Sequence, residues 1–455
     1  MFRRPPRPKL SKPVEPFRPS RRWFSNFYAD IMWKALSRIW HIPDLRNNIL
    51  AVLGMLVIFR LATHIPVPGI DVEALRRLFS SNQFLGLINI FSGGGMESFS
   101  IVAMGIAPYI TASIIFQLLA MIVPALERIQ KDGEAGQRRI SQYTRYLTVP
   151  LAALQGYGML SLLRQSSQGI VSALSIFDTL TIIITVTAGT LFLMWIGELI
   201  SEYKIGNGIS ILIFAGIISG LPQAVGRTLS VFDQTQIFNT VVFVAIAIVT
   251  VIAVVILTEG QRNIPVAYAR RVRGIKVYGG SESHLPLRVN MGGVIPIIFA
   301  ISILLFPPTV AQFFARASTP ALASAAQWVM TMFQNQLVYG VAYFALVVAF
   351  TFFYTFVIFH PDQIAENLQK QGGFIPGIRP GASTAEYLTK VVSRVILGGA
   401  LFLGVIAVLP LAVQYLTGLQ TLVIGGTSLL IVVSVVIESA KQIESQLVMR
   451  DYEGL

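Results

Sequence analysis

Phe91-Ser-Gly-Gly-Gly-Met-Glu-Ser-Phe-Ser100-Ile-Val-Ala-Met-Gly105-Ile-Ala-Pro108-Tyr-Ile-Thr-Ala-Ser-Ile-Ile-Phe-Gln117 leads into an apolar run that ends at Pro124. The run from Ile101 to Pro124 is long enough to cross a bilayer, for which about 20 mostly apolar residues suffice. Yet three glycines precede it, Pro108 interrupts it and Gln117 lies inside it. Glycines free the backbone, and a proline in mid-helix costs ~3 kcal/mol unless its neighbours compensate. The stretch is either an ordinary spanning helix with a flexible leading loop, since Gly and Pro are frequent in membrane helices, or a segment built to be broken.

The whole chain sets the context. Its 455 residues are 54% hydrophobic and 13% charged, with a mean hydropathy of +0.67, which indicates a polytopic membrane protein. Residues 1–20 are rich in Pro and Arg and have no apolar centre, so a cleaved signal peptide is not expected there and insertion must use internal segments. With no cysteine and four scattered histidines (His41, His64, His284 and His360), thiol chemistry is absent and a metal centre is not expected. No cofactor is expected either, since no phosphate-binding G-x-x-x-x-G-K-[ST] motif occurs.

Ten segments meet the apolar criterion more or less well: 49–65, 101–124, 147–163, 179–200, 209–221, 239–257, 292–306, 337–359, 395–415 and 422–437. The fifth is short, and at 1.5 Å per residue it must be tilted, lengthened or not spanning. Basic residues arbitrate, because short cytoplasmic loops collect Lys and Arg. If all ten cross, 29 of the 35 Lys and Arg fall on the side of the N-terminus and 5 on the other, with Arg60 inside the first segment. The fifth segment therefore counts as spanning, and both termini are expected in the cytoplasm. Residues 1–22 read as a basic Pro-rich disordered arm near anionic headgroups. Residues 23–48 read as an amphipathic helix with Phe24, Phe27, Ile31, Ala35 and Ile39 on one face, lying on the membrane surface or on the protein's own loops.

Ten segments form two sets of five, and an odd number per set inverts one against the other. The second segment of each carries the same interruption: Gly105-Ile-Ala-Pro108-Tyr-Ile110 answers Gly293-Val-Ile-Pro296-Ile-Ile298. Paired Gly/Pro breaks in inverted halves point to a transport path. That path carries no acidic residue in mid-span to hold an ion, which disfavours an ion-coupled secondary transporter, and no His/Asp/Glu constellation to support an intramembrane enzyme. An aliphatic, uncharged constriction suits a variable polymer better than a defined solute.

The loops make the reading specific. GQRNIPVAYARRVRGIKVYGGSESHLPLRVNMGGVIP from Gly260, ENLQKQGGFIPGIRPG from Glu366, GGTSLLIVVSVVIES and VMRDYEGL near the end, together with NIFSGGG, GIAPYITASIIFQLL, GQRRISQYTRY and IGNGISILIF, resemble the bacterial SecY family, the pore subunits of the Sec protein translocase. The resemblance runs from about Ile49 to Leu455. It implies an all-α fold of ten transmembrane helices in two inverted halves (residues 49–238 and 239–441, then a cytoplasmic tail, 442–455) around a central pore in the bacterial cytoplasmic membrane. It implies a passive, non-enzymatic channel for unfolded secretory polypeptides. About residues 84–100 would form a plug hinged at Gly93, Gly94 and Gly95. Ile106, Ile110, Ile213, Ile298 and Ile431 would form the pore ring, although each would otherwise read as core. Gln117 and Asn290 would be polar residues of a lateral gate between segments two and seven, or simply satisfied helix contacts. Through that gate signal peptides and nascent chains would meet membrane lipids. Arg270, Arg271, Arg273, Lys276 and Arg379 would dock the SecA ATPase or the phosphates of the ribosome, although most of this charge also fits a purely topological role. Loops about 259–290 and 360–394 carry them. Small membrane subunits, SecE and SecG, are further expected partners. After Gly274 the chain has Ile275-Lys276, where family members often carry two basic residues, so contacts there are expected to be weaker.

Overall fold

The computed structural model describes residues 40–81, 92–165, 175–230, 237–268, 271–273, 276–278, 282–314, 319–417 and 426–453. The arm at residues 1–22 and most of the amphipathic segment at 23–48 lie outside them. The chain divides into two compact units, Met1–Leu53 and Gly54–Leu455. The described part of the first, residues 40–53, contains the beginning of helix α1 (Pro43–Thr63).

The second unit is mostly helical. After α1 come α2 (Val72–Ser81), α3 (Ala107–Ile122), α4 (Pro124–Lys131), α5 (Glu134–Gln165), α6 (Ile176–Glu202), α7 (Gly208–Ser230) and α8 (Ile237–Glu259). Strands β1 (Gln261–Tyr268), β2 (Arg271–Arg273), β3 (Lys276–Tyr278) and β4 (Glu282–Arg288) follow. Then come α9 (Ile295–Phe314), α10 (Pro320–Gln334), α11 (Gln336–Ile358), α12 (Pro361–Lys370), β5 (Gly373–Phe374), α13 (Ala382–Thr417) and α14 (Gly426–Glu453). Among the described residues, five helices are long and apolar enough to cross a membrane, or six if the broken pair α3–α4, bent by 107°, is one span. Aliphatic side chains such as Val241, Ile248, Ile252 and Ile256 on α8 are exposed, as expected of a surface that lies against lipid.

Three sequence expectations change in detail. The fifth segment is lengthened, since α7 continues through Pro222 to Ser230. The second is shortened: residues 101–106 form turns, and the helix starts at Ala107. Pro108 is therefore not in mid-helix but in the first turn, where its missing N–H has no partner to lose and its fixed φ favours helix. The chain is also not all-α. β4, β1 and β5 make a three-stranded sheet and β2 and β3 a hairpin, because stretches such as Gln261–Tyr268 alternate buried and exposed residues, with Ile264 and Val266 inward.

The helix-starting motif occurs twice in the same form. Gly105 and Gly293 hold φ of +56° and +59°, a left-handed conformation that costs other residues roughly 1–2 kcal/mol. In each copy the helix begins two residues after the glycine, and proline is its second residue. The first helical bonds also correspond: Ile110 N–H donates to Ile106 O and Ile298 N–H to Val294 O, both at 3.1 Å.

Within the second unit, α3 and α5 pack against α9, and α7 packs against α14. The turns leading into α3 rest on α6 so closely that a methyl group on Gly189 would lie 1.8 Å from Ile101 O. One apolar cluster joins Val67, Leu75, Met96 and Phe99 to Leu160 on α5 and Ile182 on α6. A second lies under the sheet and joins Ile264, Leu287 and Ile375 to Leu388, Val392 and Ile396 of α13. Gly105→Ala and Gly293→Ala are expected to cost about 1–2 kcal/mol each, read as matching falls in the thermal unfolding midpoint of the detergent-purified protein; an unchanged midpoint for either would contradict the left-handed turn.

Candidate functional site

Four helices carry the candidate ring. Ile106 is the residue before α3 and Ile110 lies in its first turn, Ile213 is on α7, Ile298 on α9 and Ile431 on α14. All five are buried. The four helices are those that meet in the contacts α3 with α9 and α7 with α14. Ile110 and Ile298 occupy the same position in the two copies of the repeated motif, and Ile106 directly follows the glycine of the first.

The glycine-rich segment is tied down on all sides. Gly93 and Gly94 have φ of +69° and +83°. A methyl group on Gly93 would lie 2.6 Å from Phe59 Cζ and 3.3 Å from Gly216 Cα, and one on Gly95 would lie 2.9 Å from Ser100 Oγ. Only Gly94 of the three has open space around it. These glycines therefore serve close packing as well as backbone freedom. Pro66 and Ser100 form an antiparallel bridge, with Val67 N–H donating to Phe99 O (2.9 Å) and Ile101 N–H to Ile65 O (3.0 Å). Phe99, at φ +40°, is driven deep into the first apolar cluster. Side chains add further ties. Arg60 Nη1 donates to Gly93 O at 2.8 Å, Ser98 Oγ to Thr63 O at 2.9 Å, and Met96 N–H to Ser92 Oγ at 3.1 Å. Arg60 was visible in the sequence as an intramembrane cation, but its partner was not. Residues 82–91, which include the start of the expected plug, lie outside the described residues.

The two polar gate candidates do not bond to each other. Gln117 Nε2 donates to Ser113 Oγ one turn back at 3.1 Å, and Asn290 Nδ2 donates to Gly293 O at 3.1 Å. The side-chain oxygens of both residues are buried without a hydrogen-bond partner. Asn290 thereby braces the left-handed turn that launches α9, whereas Gln117 stays within α3.

The basic residues sit on the sheet region. Arg271 and Arg273 are on β2 and Lys276 is on β3, with Arg271 opposite Tyr278 and Arg273 opposite Lys276 in the backbone register; Arg270 lies outside the described residues. Arg379 is exposed between Gly377 and Gly381, which have φ of +82° and +96°. Its carbonyl accepts from Thr384 Oγ1 at 2.9 Å. Lys370 and Lys390 on the flanking helices are paired one turn back with Glu366 (2.7 Å) and Glu386 (2.8 Å). Among the described residues Arg379 has no such ion pair. β5 pairs with β1, Ala267 opposite Phe374 and Tyr268 opposite Gly373, so the loop bearing Arg379 and the one bearing β2 and β3 are joined by backbone hydrogen bonds.

Because Gln117 bonds only within α3 among the described residues, Gln117→Met is expected to keep stability within about 0.5 kcal/mol of wild type or raise it, as a buried carbonyl without a partner costs more than an apolar group of similar shape. The denaturation midpoint checks this, and a clear fall would show a bond across α3 and α9.

Residues 100–440 match the SecY family model. The chain is 43% identical over 442 residues to a protein translocase subunit SecY of Streptomyces scabiei, covering 93% of this chain and 99% of that one. It is 43% identical over 434 residues to the protein translocase subunit SecY of Bacillus subtilis, with the same coverage. Its fold resembles that of a solved protein-conducting channel, with a TM-score of 0.60 at 18% identity over 87% of this chain and 91% of that one. It also resembles a SecY structure described as having a plug domain that stabilises the closed state, with a TM-score of 0.60 at 18% identity over 88% and 92% of the two chains. These likenesses establish the fold, and the sequence matches establish the kinship: the chain belongs to the SecY family.

Proposed function

We propose that this chain is the pore of a protein translocase, a passive channel that moves unfolded polypeptides across the membrane and releases apolar segments sideways into lipid. The observation that carries this reading is the repeated left-handed glycine and early proline in α3 and α9. They launch two helices from matching turns beside aliphatic residues, and the two helices pack on each other. In a two-fold arrangement an element near the axis meets its own equivalent. The pairing of second with second (α3 with α9) and fifth with fifth (α7 with α14) fits ten spans in two inverted sets of five. On this reading Ile106, Ile110, Ile213, Ile298 and Ile431 form a dry ring that blocks ions, Gly93 to Gly95 anchor a plug, and the seam between α3 and α9, near Gln117 and Asn290, is the lateral gate.

The excess of Lys and Arg on one set of loops supports a bacterial cytoplasmic membrane location with both termini inside. The basic hairpin (Arg270, Arg271, Arg273 and Lys276) and exposed Arg379 would then face the cytoplasm and meet SecA or ribosomal RNA, while SecE and SecG complete the channel within the bilayer.

Two tests follow. With no native cysteine in the chain, single cysteines at Ile106, Ile213 and Ile431 are each expected to crosslink to a secretory chain stalled in transit; failure of all three would move the pore axis elsewhere. Arg379→Glu is expected to reduce export at least tenfold while membrane insertion and abundance of the protein stay normal. Unaltered export would leave Arg379 with a topological role alone.

A further inference from the structure

Arg60 is a cation inside the first apolar segment, and such residues are rare enough within a bilayer to require a role. It stands in the last turn of α1, where positive charge is favoured by the helix dipole. That turn is fixed by its own side chains: Thr63 Oγ1 donates to Arg60 O at 2.7 Å, and His64 Nδ1 lies 2.8 Å from the same carbonyl. From this turn the guanidinium reaches out of the helix to Gly93 O. The acceptor lies on a left-handed turn that packs closely on Phe59 and Gly216, so the bond adds a directional tie to van der Waals contact there. On its far side Ser98 Oγ donates back to Thr63 O. Both bonds run from the segment to one helical turn, Arg60 to Thr63.

We infer that this turn of α1 is the bolt of the channel: the Arg60 guanidinium and the Thr63 carbonyl hold the plug closed through Gly93 O and Ser98 Oγ. The inference rests on the plug reading given above. A backbone carbonyl suits a reversible catch. A charge-assisted hydrogen bond to a neutral acceptor is stronger than a neutral pair, yet a full ion pair out of water would be costly to part. When the segment leaves, Arg60 is uncovered at the mouth of the path, where water can replace Gly93 O.

The test uses the complete channel complex in planar bilayers, comparing wild type, Arg60→Met, Ser98→Ala and a deletion of Gly93 to Ser98. Methionine keeps most of the apolar stem and removes the donor. Resting ion conductance of Arg60→Met is expected to rise on the order of tenfold or more, and that of Ser98→Ala about threefold, the usual effects of losing a charged and a neutral hydrogen bond. A membrane-impermeant maleimide is expected to label a cysteine at Met96, buried in wild type, at least tenfold faster in the Arg60→Met background. Merely structural damage would instead lower the thermal midpoint without selective exposure of position 96. If the deletion leaks and Arg60→Met does not, the bolt is overturned and the plug stands. If the deletion does not leak either, the plug reading falls and the bolt with it. Should Arg60→Met fail to fold, Ser98→Ala decides, and wild-type conductance there overturns the inference.

Discussion

A helix that begins part-way through a membrane leaves its first N–H groups without intrahelical partners, in a medium with no water to supply them. The rest of this structure answers that problem. Proline as the second helical residue removes one of those donors, and a left-handed glycine just upstream turns the chain within two residues of the start of α3 and of α9. The turns must then be braced by neighbours. Asn290 bonds Gly293 O, the backbone near Ile101 is clasped by Ile65, and α6 offers only glycine at residue 189 so that the turn can lie against it.

That bracing explains why the segment before α3 is so ordered. Its backbone bonds to Ile65 and Val67, its Phe99 ring fills the first apolar cluster, and its glycines fit against Phe59 and Ser100. Few of these ties are strong. Buried hydrogen bonds are worth about 1 kcal/mol each net, so the segment is held by several modest contacts that are made or lost together.

Much of this was legible in the sequence. The apolar runs, the repeated G-x-x-P-x-I and the loop motifs gave the membrane class, the family and the motif that breaks the helices. What sequence could not supply was where each helix begins and which of its faces is buried. Pro108 read as a mid-helix break because nothing in the string says where a helix starts; its place at the second helical residue depends on the turn made by Gly105. Ile213 and Ile248 are the same residue type in similar company, yet one is 2% exposed and the other 55%, a difference set by helix packing alone. Gln117 reads in the sequence either as a gate residue or as a satisfied helix contact, and its bond one turn back to Ser113 is a choice of partner that the string does not encode. The strands escaped notice because they lie in a loop whose Pro and Gly content masks a short alternation.

The sheet of β4, β1 and β5 has a mechanical consequence. It fastens together two loops about a hundred residues apart in the chain, and its underside is glued to α13 by Ile264, Leu287 and Ile375. Just past β4, Val289 donates to Gly260 O at the end of α8, and its carbonyl lies so near Gly399 that a methyl there would be 2.6 Å away. The chain reaches the glycine turn of α9 a few residues later. The backbone of both loops is therefore tied to the end of α8 and to α13, within a few residues of the turn that starts α9.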